Sequence, residues 1–276
     1  MPIYQAVILG IIQGLAEFLP ISSSAHLALA PWLFGWKDQG LAFDIAMHFG
    51  TLVSVVIFFL RDWIQIIGQA FGLRLGNDPF LRDRPKLLWY LIAATIPAAL
   101  AGLLFQKFVE HQLRSAYYIG FFSIVFGLLL ALSEMLGAKR KHIGTMSFMD
   151  AMSMGIAQAF GIMPGVSRSG VTITAGMFRD LDRSTAARFS FLLSTPVIAG
   201  AALKKGWELF RHEGGLPADM QAPFIVGIIV SGVTGAFVIG FFLKYLRTSS
   251  LRPFAIYRVL FGLVVLGLAM FRGFEG

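Results

Sequence analysis

The chain has 276 residues, of which 57% are hydrophobic and only 14% are charged, and its mean hydropathy is +0.73. About a quarter of the residues in a soluble domain are charged, so the composition excludes an ordinary soluble protein and predicts an all-α polytopic membrane protein. The net charge of +8 comes from basic residues scattered between apolar stretches. This pattern is typical of anchoring to membrane lipids, and it predicts no nucleic-acid partner.

Two regions and six apolar stretches make up the predicted elements. Residues 3–36 break at EFLPISSSAH and residues 148–178 break at MPGVSRSG, and in each an apolar half-helix, a turn and a second short half-helix follow one another. Non-helical backbone at membrane depth needs protein or water around it, so we interpret both as re-entrant hairpins; two helices kinked at proline are the simpler alternative. The other stretches have about the length that spans a bilayer: Leu41–Leu60, Leu87–Phe105, Tyr117–Leu136, Phe189–Leu203 with its flanks, Phe224–Leu243 and Phe254–Phe271.

The two broken regions resemble each other at an offset of 145 residues. Six identities, including Gln13 with Gln158 and Ser22 with Ser167, fall in one nineteen-residue window without a gap. Three predicted spans separate the copies, so the copies enter from opposite faces, as in transporters that bind substrate between inverted repeats. We therefore predict one integral membrane domain, 1–276, with pseudo-repeats at about 1–110 and 145–246 and extra spans at about 115–136 and 253–272.

The basic residues predict the orientation of the chain. Under this topology fourteen Lys and Arg residues lie on one face and seven on the other. Because cytoplasmic loops carry the excess of basic residues, the richer face is predicted to be cytoplasmic. Both termini and the first hairpin are then predicted to lie outside.

The first hairpin carries polar side chains at spacings that favour a site. Gln13 and Glu17 are four residues apart, hence on one helix face, and Ser23 and His26 share a face if a half-helix begins near Ser22. Ser22 and Ser24 suit helix capping as well as substrate binding. Free N–H groups at the start of a half-helix favour an anion.

The second hairpin adds a guanidinium between two serines. Arg168 lies at predicted membrane depth, where a charge is costly and normally functional, and Ser167, Ser169 and Thr172 surround it. One carboxylate, one imidazole, one guanidinium and several hydroxyls together suit phosphoryl transfer. Gln13 and Gln158 are interpreted either as ties between the hairpin backbones or as substrate contacts.

Two further sets of titratable residues are interpreted as solvated. His48, Asp44 and Glu134 lie near the ends of predicted spans, where interfacial solvation explains them. A second set is interpreted as a solvated cytoplasmic face: Asp150, Arg179, Asp180, Asp182, Arg183 and Arg188.

The segments QGLAEFLPISSSAH (13–26) and PGVSRSGVT (164–172) together resemble the bacterial undecaprenyl-pyrophosphate phosphatases of the bacitracin-resistance type. The resemblance extends through FDIAMHFGTLVSVV and RFSFLLSTPVIAGA. It implies hydrolysis of undecaprenyl diphosphate to undecaprenyl phosphate and inorganic phosphate, which recycles the lipid carrier of peptidoglycan synthesis and confers bacitracin resistance. It further implies the bacterial inner membrane, an active site that opens toward the periplasm, and a divalent cation, Mg²⁺ or Ca²⁺.

Carried over onto this sequence, the resemblance implies roles for particular residues. Arg168, with Ser167, Ser169 and Thr172, is predicted to bind the diphosphate, and Gln13, Ser22 and Ser24 are further candidates for substrate binding. Ser23 is the candidate nucleophile, Glu17 prepares it or holds the metal, and His26 protonates the leaving group or positions water. Attack by water or by His26 stays open. Because Gln13 occupies a position where the family also has Glu, any cation relies on Glu17 and on the oxygen atoms of the substrate.

Other classes of protein remain to be weighed. Acid-phosphatase-like lipid phosphatases carry a histidine six residues after their Ser-Arg pair, where this chain has Thr174. A transporter or flippase of a phosphorylated polyprenyl lipid is the main alternative, and it needs no nucleophile. An envelope assembly protein does not explain a buried polar cluster. The sequence leaves a homo-oligomer open.

Overall fold

The computed structural model describes residues 1–37, 40–82, 84–212 and 218–272, apart from a few side chains within them. These described residues are helical and form no β-strand. Eleven α-helices are found in them: α1 (Ile3–Phe18), α2 (Ser23–Phe34), α3 (Gly40–Phe58), α4 (Leu60–Ala70), α5 (Leu87–Gln112), α6 (Ala116–Leu136), α7 (Phe148–Phe160), α8 (Arg168–Phe178), α9 (Arg183–His212), α10 (Ala218–Leu246) and α11 (Arg252–Arg272). The predicted all-α class is confirmed.

Five of the described helices are long and apolar enough to cross a membrane. They lie in α5, α6, α9, α10 and α11, at the positions of five of the six predicted spans. The sixth predicted span, Leu41–Leu60, corresponds to α3 and α4, which meet at an angle of 67°. Arg61 and Asp62 interrupt the apolar run where α4 begins, and this change of composition accompanies the bend. The chain is a multi-pass membrane protein, and its described residues contain five candidate spans, or six if the bent pair counts as one span.

Apolar side chains form the buried core and also cover much of the outer surface, whereas many polar side chains are buried. Large apolar residues such as Leu103, Phe237 and Phe271 are exposed, whereas Gln13, Glu17 and many hydroxyl side chains are buried. Because acyl chains are as apolar as leucine, helices in a membrane associate through small residues and polar contacts. Gly155 of α7 illustrates this, since a Cβ there would clash with the backbone of Ala94 in α5.

The two breaks predicted from the sequence occur as breaks in helix. Leu19, which precedes Pro20, has an extended backbone (φ −70°, ψ 144°) and ends α1, as expected because proline disfavours the helical conformation of the residue before it. Between α7 and α8 the chain makes turns that include Pro164 and Gly165.

Two of the acidic residues interpreted as solvated, Asp150 and Glu134, are instead buried in ion pairs. Asp150 accepts hydrogen bonds from Lys141 at 3.1 Å and from Arg179 at 3.0 Å, and its exposed fraction is 0%. Glu134 pairs with Arg183 and Lys139. The interpretations of Asp150 as part of a solvated face and of Glu134 as interfacial were therefore wrong. Both side chains join elements far apart in sequence, which a linear reading of the chain does not reveal.

Two basic residues of the same predicted face also make ion pairs. Arg188 bridges Asp62 and Asp78, and Arg183 bonds Glu134. Asp180 accepts a hydrogen bond from the Ala138 amide, and Asp182 accepts one from the Thr185 amide. This part of the described chain is a network of ion pairs and helix caps.

Candidate active site

Glu17 is the centre of the candidate site. It lies near the end of α1 with an exposed fraction of 5%, and four side chains approach its carboxylate. Arg168 donates to Oε1 at 2.6 Å, and Ser23 Oγ donates to Oε2 at 2.5 Å. Gln13 Nε2 donates to Oε2 at 3.0 Å, and His48 Nε2 lies 3.4 Å from the same oxygen. A single buried carboxylate therefore joins both predicted hairpins.

The ion pair with Glu17 compensates the cost of placing the Arg168 guanidinium at membrane depth. A buried charge is tolerated when it is paired and hydrogen-bonded, and Arg168 has its partner 151 positions away in the chain. Arg168 is the first residue of α8, and Ser23 is the first residue of α2. The starts of the two short helices thus meet at Glu17.

Serines connect the two turns to each other. Ser22 Oγ accepts a hydrogen bond from the Gly165 amide at 3.1 Å, and Ser169 Oγ donates to the Leu19 carbonyl at 3.1 Å. Ser167 caps α8 by accepting from the Gly170 amide. Ser22 and Ser167 both adopt positive φ, 76° and 65°, a conformation that costs a non-glycine residue about 1–3 kcal/mol. The ties between the turns hold this backbone in place.

A cavity of about 660 Å³ opens beside Glu17. Apolar side chains of α5 and α9 form part of its described lining. The lining also includes most of the polar residues that the sequence predicted for the site: Glu17, Ser22, Ser23, Ser24, Ser167 and Arg168. Asp44, His48, Arg114, Gln158 and Lys204 also line it. An apolar cavity with a few convergent polar groups is the usual form of a small-molecule site.

Three predicted site residues have other contacts. Thr172 bonds Ser190 Oγ of α9 at 2.6 Å and carbonyls of its own helix, whereas Ser169 bonds the Leu19 carbonyl in the turn before α2. His26 bonds the Ser22 carbonyl at 2.7 Å and the Tyr257 hydroxyl at 2.6 Å. None of the three is among the described residues that line the cavity. Their catalytic or substrate-binding roles stay predictions.

His48 and Asp44 were misjudged from the sequence. His48 was interpreted as an interfacial residue near the end of a span, but it lies beside Glu17 and bonds the Asp44 carbonyl through Nδ1 at 2.7 Å. Asp44 lines the cavity and pairs with Arg114 at 3.3 Å. His48 and Thr51 are three residues apart on α3, and the Thr51 hydroxyl accepts a hydrogen bond from Gln13 at 3.4 Å. The three-residue spacing of these polar side chains within the apolar segment FDIAMHFGTLVSVV could have indicated that they face the site.

The sequence motifs did not identify Arg258 of α11 as a residue of the site. Its side chain is buried, with an exposed fraction of 1%, and it donates to the carbonyls of Gly165 at 2.7 Å, Val166 at 2.8 Å and Pro20 at 3.4 Å. It has no carboxylate partner among the described residues. The guanidinium thus ties the turn before α8 to the turn before α2.

The donors around Glu17 fit a divalent cation only in part. Among the described residues no group of three or more His, Asp or Glu side chains is placed to hold a metal. Gln13 Oε1 is buried beside Glu17 without a partner among the described residues. Carboxylate and amide oxygens are ligands of Mg²⁺ and Ca²⁺, and Mg²⁺ is often held by one carboxylate together with substrate phosphates. The set therefore fits a cation whose remaining ligands come from the substrate.

A second cavity, of about 750 Å³, is lined by residues of α4, α9 and α10, including Asp62, Arg188 and Lys244. Arg188 in it is already bound to Asp62 and Asp78. The lining contains neither of the motifs found in the sequence. The chemistry therefore converges on the cavity beside Glu17.

Comparison with known proteins agrees with the motifs. Residues 6–264 match the family described as "Bacitracin resistance protein BacA". The chain is 46% identical over 274 residues to the undecaprenyl-diphosphatase of Pelotomaculum thermopropionicum, covering 99% of each chain. It is 44% identical over 272 residues to that of Moorella thermoacetica, covering 99% of this chain and 100% of the relative. For Geobacter sulfurreducens the identity is 46% over 268 residues, covering 96% and 98%. The resemblance inferred from the two motifs is thus confirmed, and the chain belongs to the BacA family of bacitracin resistance proteins.

Proposed function

We infer that the protein hydrolyses undecaprenyl diphosphate to undecaprenyl phosphate and inorganic phosphate. In this role it recycles the lipid carrier of peptidoglycan synthesis and confers bacitracin resistance. The observation that carries this proposal is the pairing of Ser23 and Arg168, from different turns, with the two oxygens of Glu17. A hydroxyl, a base within hydrogen-bond reach and a guanidinium are the parts that phosphoryl transfer to a side chain requires.

The geometry favours Ser23 as the nucleophile. Its hydroxyl already donates to Glu17 at 2.5 Å, so Glu17 can accept the proton as Ser23 Oγ attacks the terminal phosphorus. The bond from that phosphorus to the bridging oxygen breaks, and undecaprenyl phosphate leaves. Water then hydrolyses the phosphoserine, which releases inorganic phosphate and restores the Ser23 hydroxyl.

The diphosphate needs donors that stabilise its charge. Among the described residues, Arg168 is the one arginine or lysine bound directly to Glu17, and its planar guanidinium can bind a phosphate through two N–H groups. Ser24 and Ser167 line the same cavity and offer hydroxyl donors. We propose these side chains, with Ser22, as the substrate-binding set.

We propose a Mg²⁺ or Ca²⁺ ion as the cofactor. Glu17 and Gln13 would hold it together with oxygen atoms of the diphosphate, and the ion would supply neutralisation of phosphate charge when bound. Glu17 would then be shared between Arg168, Ser23 and the ion, and most of the other ligands would come from the substrate. Orientation of the substrate is then the task of Arg168 and the serines.

We also propose that the site lies between inverted repeats, at about 1–110 and 145–246, whose re-entrant hairpins are α1–α2 and α7–α8. At an offset of 145 residues, α1 and α7 begin at equivalent positions, and so do α2 and α8. Ser22 and Ser167, equivalent at this offset, share positive φ. Moreover α1 packs on α10, in the second repeat, while α7 packs on α5, in the first. Such reciprocal packing is expected of intertwined repeats.

The orientation follows as a further proposal. The excess of basic residues on one face supports a cytoplasmic location for that face. The cavity beside Glu17 would then open toward the periplasm from the inner membrane, with both termini outside. Arg114 and Lys204 line this cavity and suit attraction of an anionic headgroup.

The test is phosphate release from a polyprenyl diphosphate by the purified protein in detergent. Glu17→Ala and Arg168→Ala are expected to lower kcat by about 100-fold or more, because each removes a group that acts in the transition state. His26→Ala is expected to lower kcat at least tenfold, as its motif position implies. The matched control is Glu134→Ala, which removes another buried glutamate paired with an arginine away from the cavity.

The result distinguishes the enzyme from a flippase. If wild-type protein releases no phosphate although it moves labelled lipid across vesicles, hydrolysis is the wrong function. If Glu17→Ala and Arg168→Ala retain the rate of Glu134→Ala, the assignment of the site is wrong.

A further inference from the structure

Gln158 lies in the last turn of α7, close to Arg168. A Cβ added at Gly161 would lie 2.9 Å from the Arg168 Cβ and 3.0 Å from the Gln158 carbonyl oxygen, so the two residues flank the same turn. Gln158 lines the cavity beside Glu17. It is also the residue that corresponds to Gln13 at the offset of 145.

The carboxamide of Gln158 is buried and has no hydrogen-bond partner among the described residues. Its exposed fraction is 1%, and neither Nε2 nor Oε1 meets a donor or an acceptor among the described residues. Gln13, by contrast, donates through Nε2 to Glu17 and Thr51. Buried polar groups are nearly always paired, because each unpaired donor or acceptor loses its hydration without compensation. An unpaired amide at a cavity wall therefore needs an external partner.

We propose that Gln158 is a further substrate-binding residue, whose Nε2 donates a hydrogen bond to a phosphoryl oxygen of the polyprenyl diphosphate. This inference rests on the proposed function and adds a residue that the two motifs do not include. Ionised phosphoryl oxygens accept hydrogen bonds but cannot donate them, and an amide N–H is a complementary donor. Because the amide is neutral, it adds a donor next to Arg168 without adding repulsion between cations.

The proposal predicts opposite effects on binding and on stability. Gln158→Leu replaces the amide by an apolar side chain of similar length, so it removes an uncompensated buried polar group from the free protein. The melting temperature in detergent should therefore stay the same or rise, whereas KM for the diphosphate should rise about tenfold. Gln158→Glu should raise KM further, to about 100-fold, because a carboxylate would repel the phosphate.

The matched control is Gln65, which is also buried but whose amide is satisfied. Its Nε2 donates to the Asp78 carbonyl at 2.9 Å, and its Oε1 accepts from the Asp78 amide at 3.0 Å. Gln65→Leu should therefore lower the melting temperature and leave KM unchanged. The two substitutions are chemically identical, and they differ only in what the amide contacts.

The measurement combines phosphate release with direct binding of farnesyl diphosphate, a short polyprenyl diphosphate, to the purified protein. A tenfold weaker binding by Gln158→Leu at an unchanged or higher melting temperature supports the proposal. Wild-type binding by Gln158→Leu overturns it, and so does a fall in melting temperature like that of Gln65→Leu with KM unchanged. If the wild type binds farnesyl diphosphate but releases no phosphate, the proposed function fails, while the comparison of binding still decides the role of Gln158.

Discussion

Replacement of Arg258 tests whether the two turns must be held together for catalysis. The guanidinium donates two short hydrogen bonds to the turn before α8 and a longer one to Pro20 in the turn before α2. In Arg258→Met, the Gly165 and Val166 carbonyls lose their donor, at about 1–3 kcal/mol each. The substitution also removes a buried charge that has no carboxylate partner among the described residues, and this relieves a desolvation penalty of several kcal/mol. Since these contributions are of similar size, we expect the melting temperature to change by only a few degrees.

The effect on catalysis should be much larger. Without Arg258, the turns that carry Ser23 and Arg168 lose a shared anchor, and a displacement of about 1 Å can cost about 100-fold in rate. A 100-fold fall in kcat/KM corresponds to about 2.7 kcal/mol of transition-state stabilisation. Arg258→Lys should recover only part of this rate, because the lysine ammonium lacks the planar fork that can reach both turns.

The assay is phosphate release from a polyprenyl diphosphate, measured together with the melting temperature in detergent. Arg183→Met is the matched control, since Arg183 pairs with Glu134 outside the cavity lining; it should lower stability without changing kcat/KM per folded molecule. If Arg258→Met keeps a kcat/KM within threefold of the wild type, the turns do not need this anchor and the reasoning is refuted.

Two further predictions concern the same turns. Gly165 has φ +93°, and a Cβ there would lie 2.5 Å from the Ile119 carbonyl oxygen, so Gly165→Ala should cost about 1–3 kcal/mol in stability and lower the melting temperature. The control Gly267→Ala, at a helix position with open space, should leave the melting temperature unchanged or raise it. Equal effects of the two substitutions would show that the backbone at Gly165 is not strained by a side chain. His48→Ala should lower kcat about tenfold because it removes the imidazole whose Nε2 lies 3.4 Å from Glu17 Oε2, whereas His48→Gln should retain most of the rate because the glutamine amide can occupy the same space beside Glu17. Equal rates for the two variants would argue against this contact.

The sequence predicted the architecture well because membrane burial leaves a strong signal in it. Uninterrupted apolar runs of about 20 residues match α5, α6, α9, α10 and α11, since length and hydropathy determine a span. Pro20 and Pro164 marked both breaks because proline limits helix on its N-terminal side. The bend between α3 and α4 was not predicted, because the apolar run continues through the bend to Leu60 before Arg61 and Asp62 interrupt it.

The site was predictable where rare polar residues fall in an apolar segment. Glu17, Ser23 and Arg168 stood out for that reason, and the structure joins them through one carboxylate. His48 and Arg258 were not identified, because each lies on a helix distant in sequence and looks like an interfacial or basic residue when taken alone. Only the packing of α3 and α11 against the turns gives them contacts with the site.

The burial of Asp150 and Glu134 was mispredicted for a related reason. Glu134 lies near the end of a predicted span, and Asp150 was grouped with the residues of a predicted solvated face. In the folded chain, however, their cationic partners enclose them. Charge pairing over long sequence distances decides whether an acidic residue is buried, and neighbouring residues in the sequence do not reveal it.

The most direct test of the account is an experimental structure of the purified protein with inorganic phosphate bound. We expect the phosphate in the cavity beside Glu17, within hydrogen-bond distance of the Arg168 guanidinium and close to Ser23 Oγ. Phosphate bound instead among Arg188, Lys244 and Arg247 in the second cavity, or an Arg168 that faces the acyl chains, would contradict the claim that the two turns form one anion site.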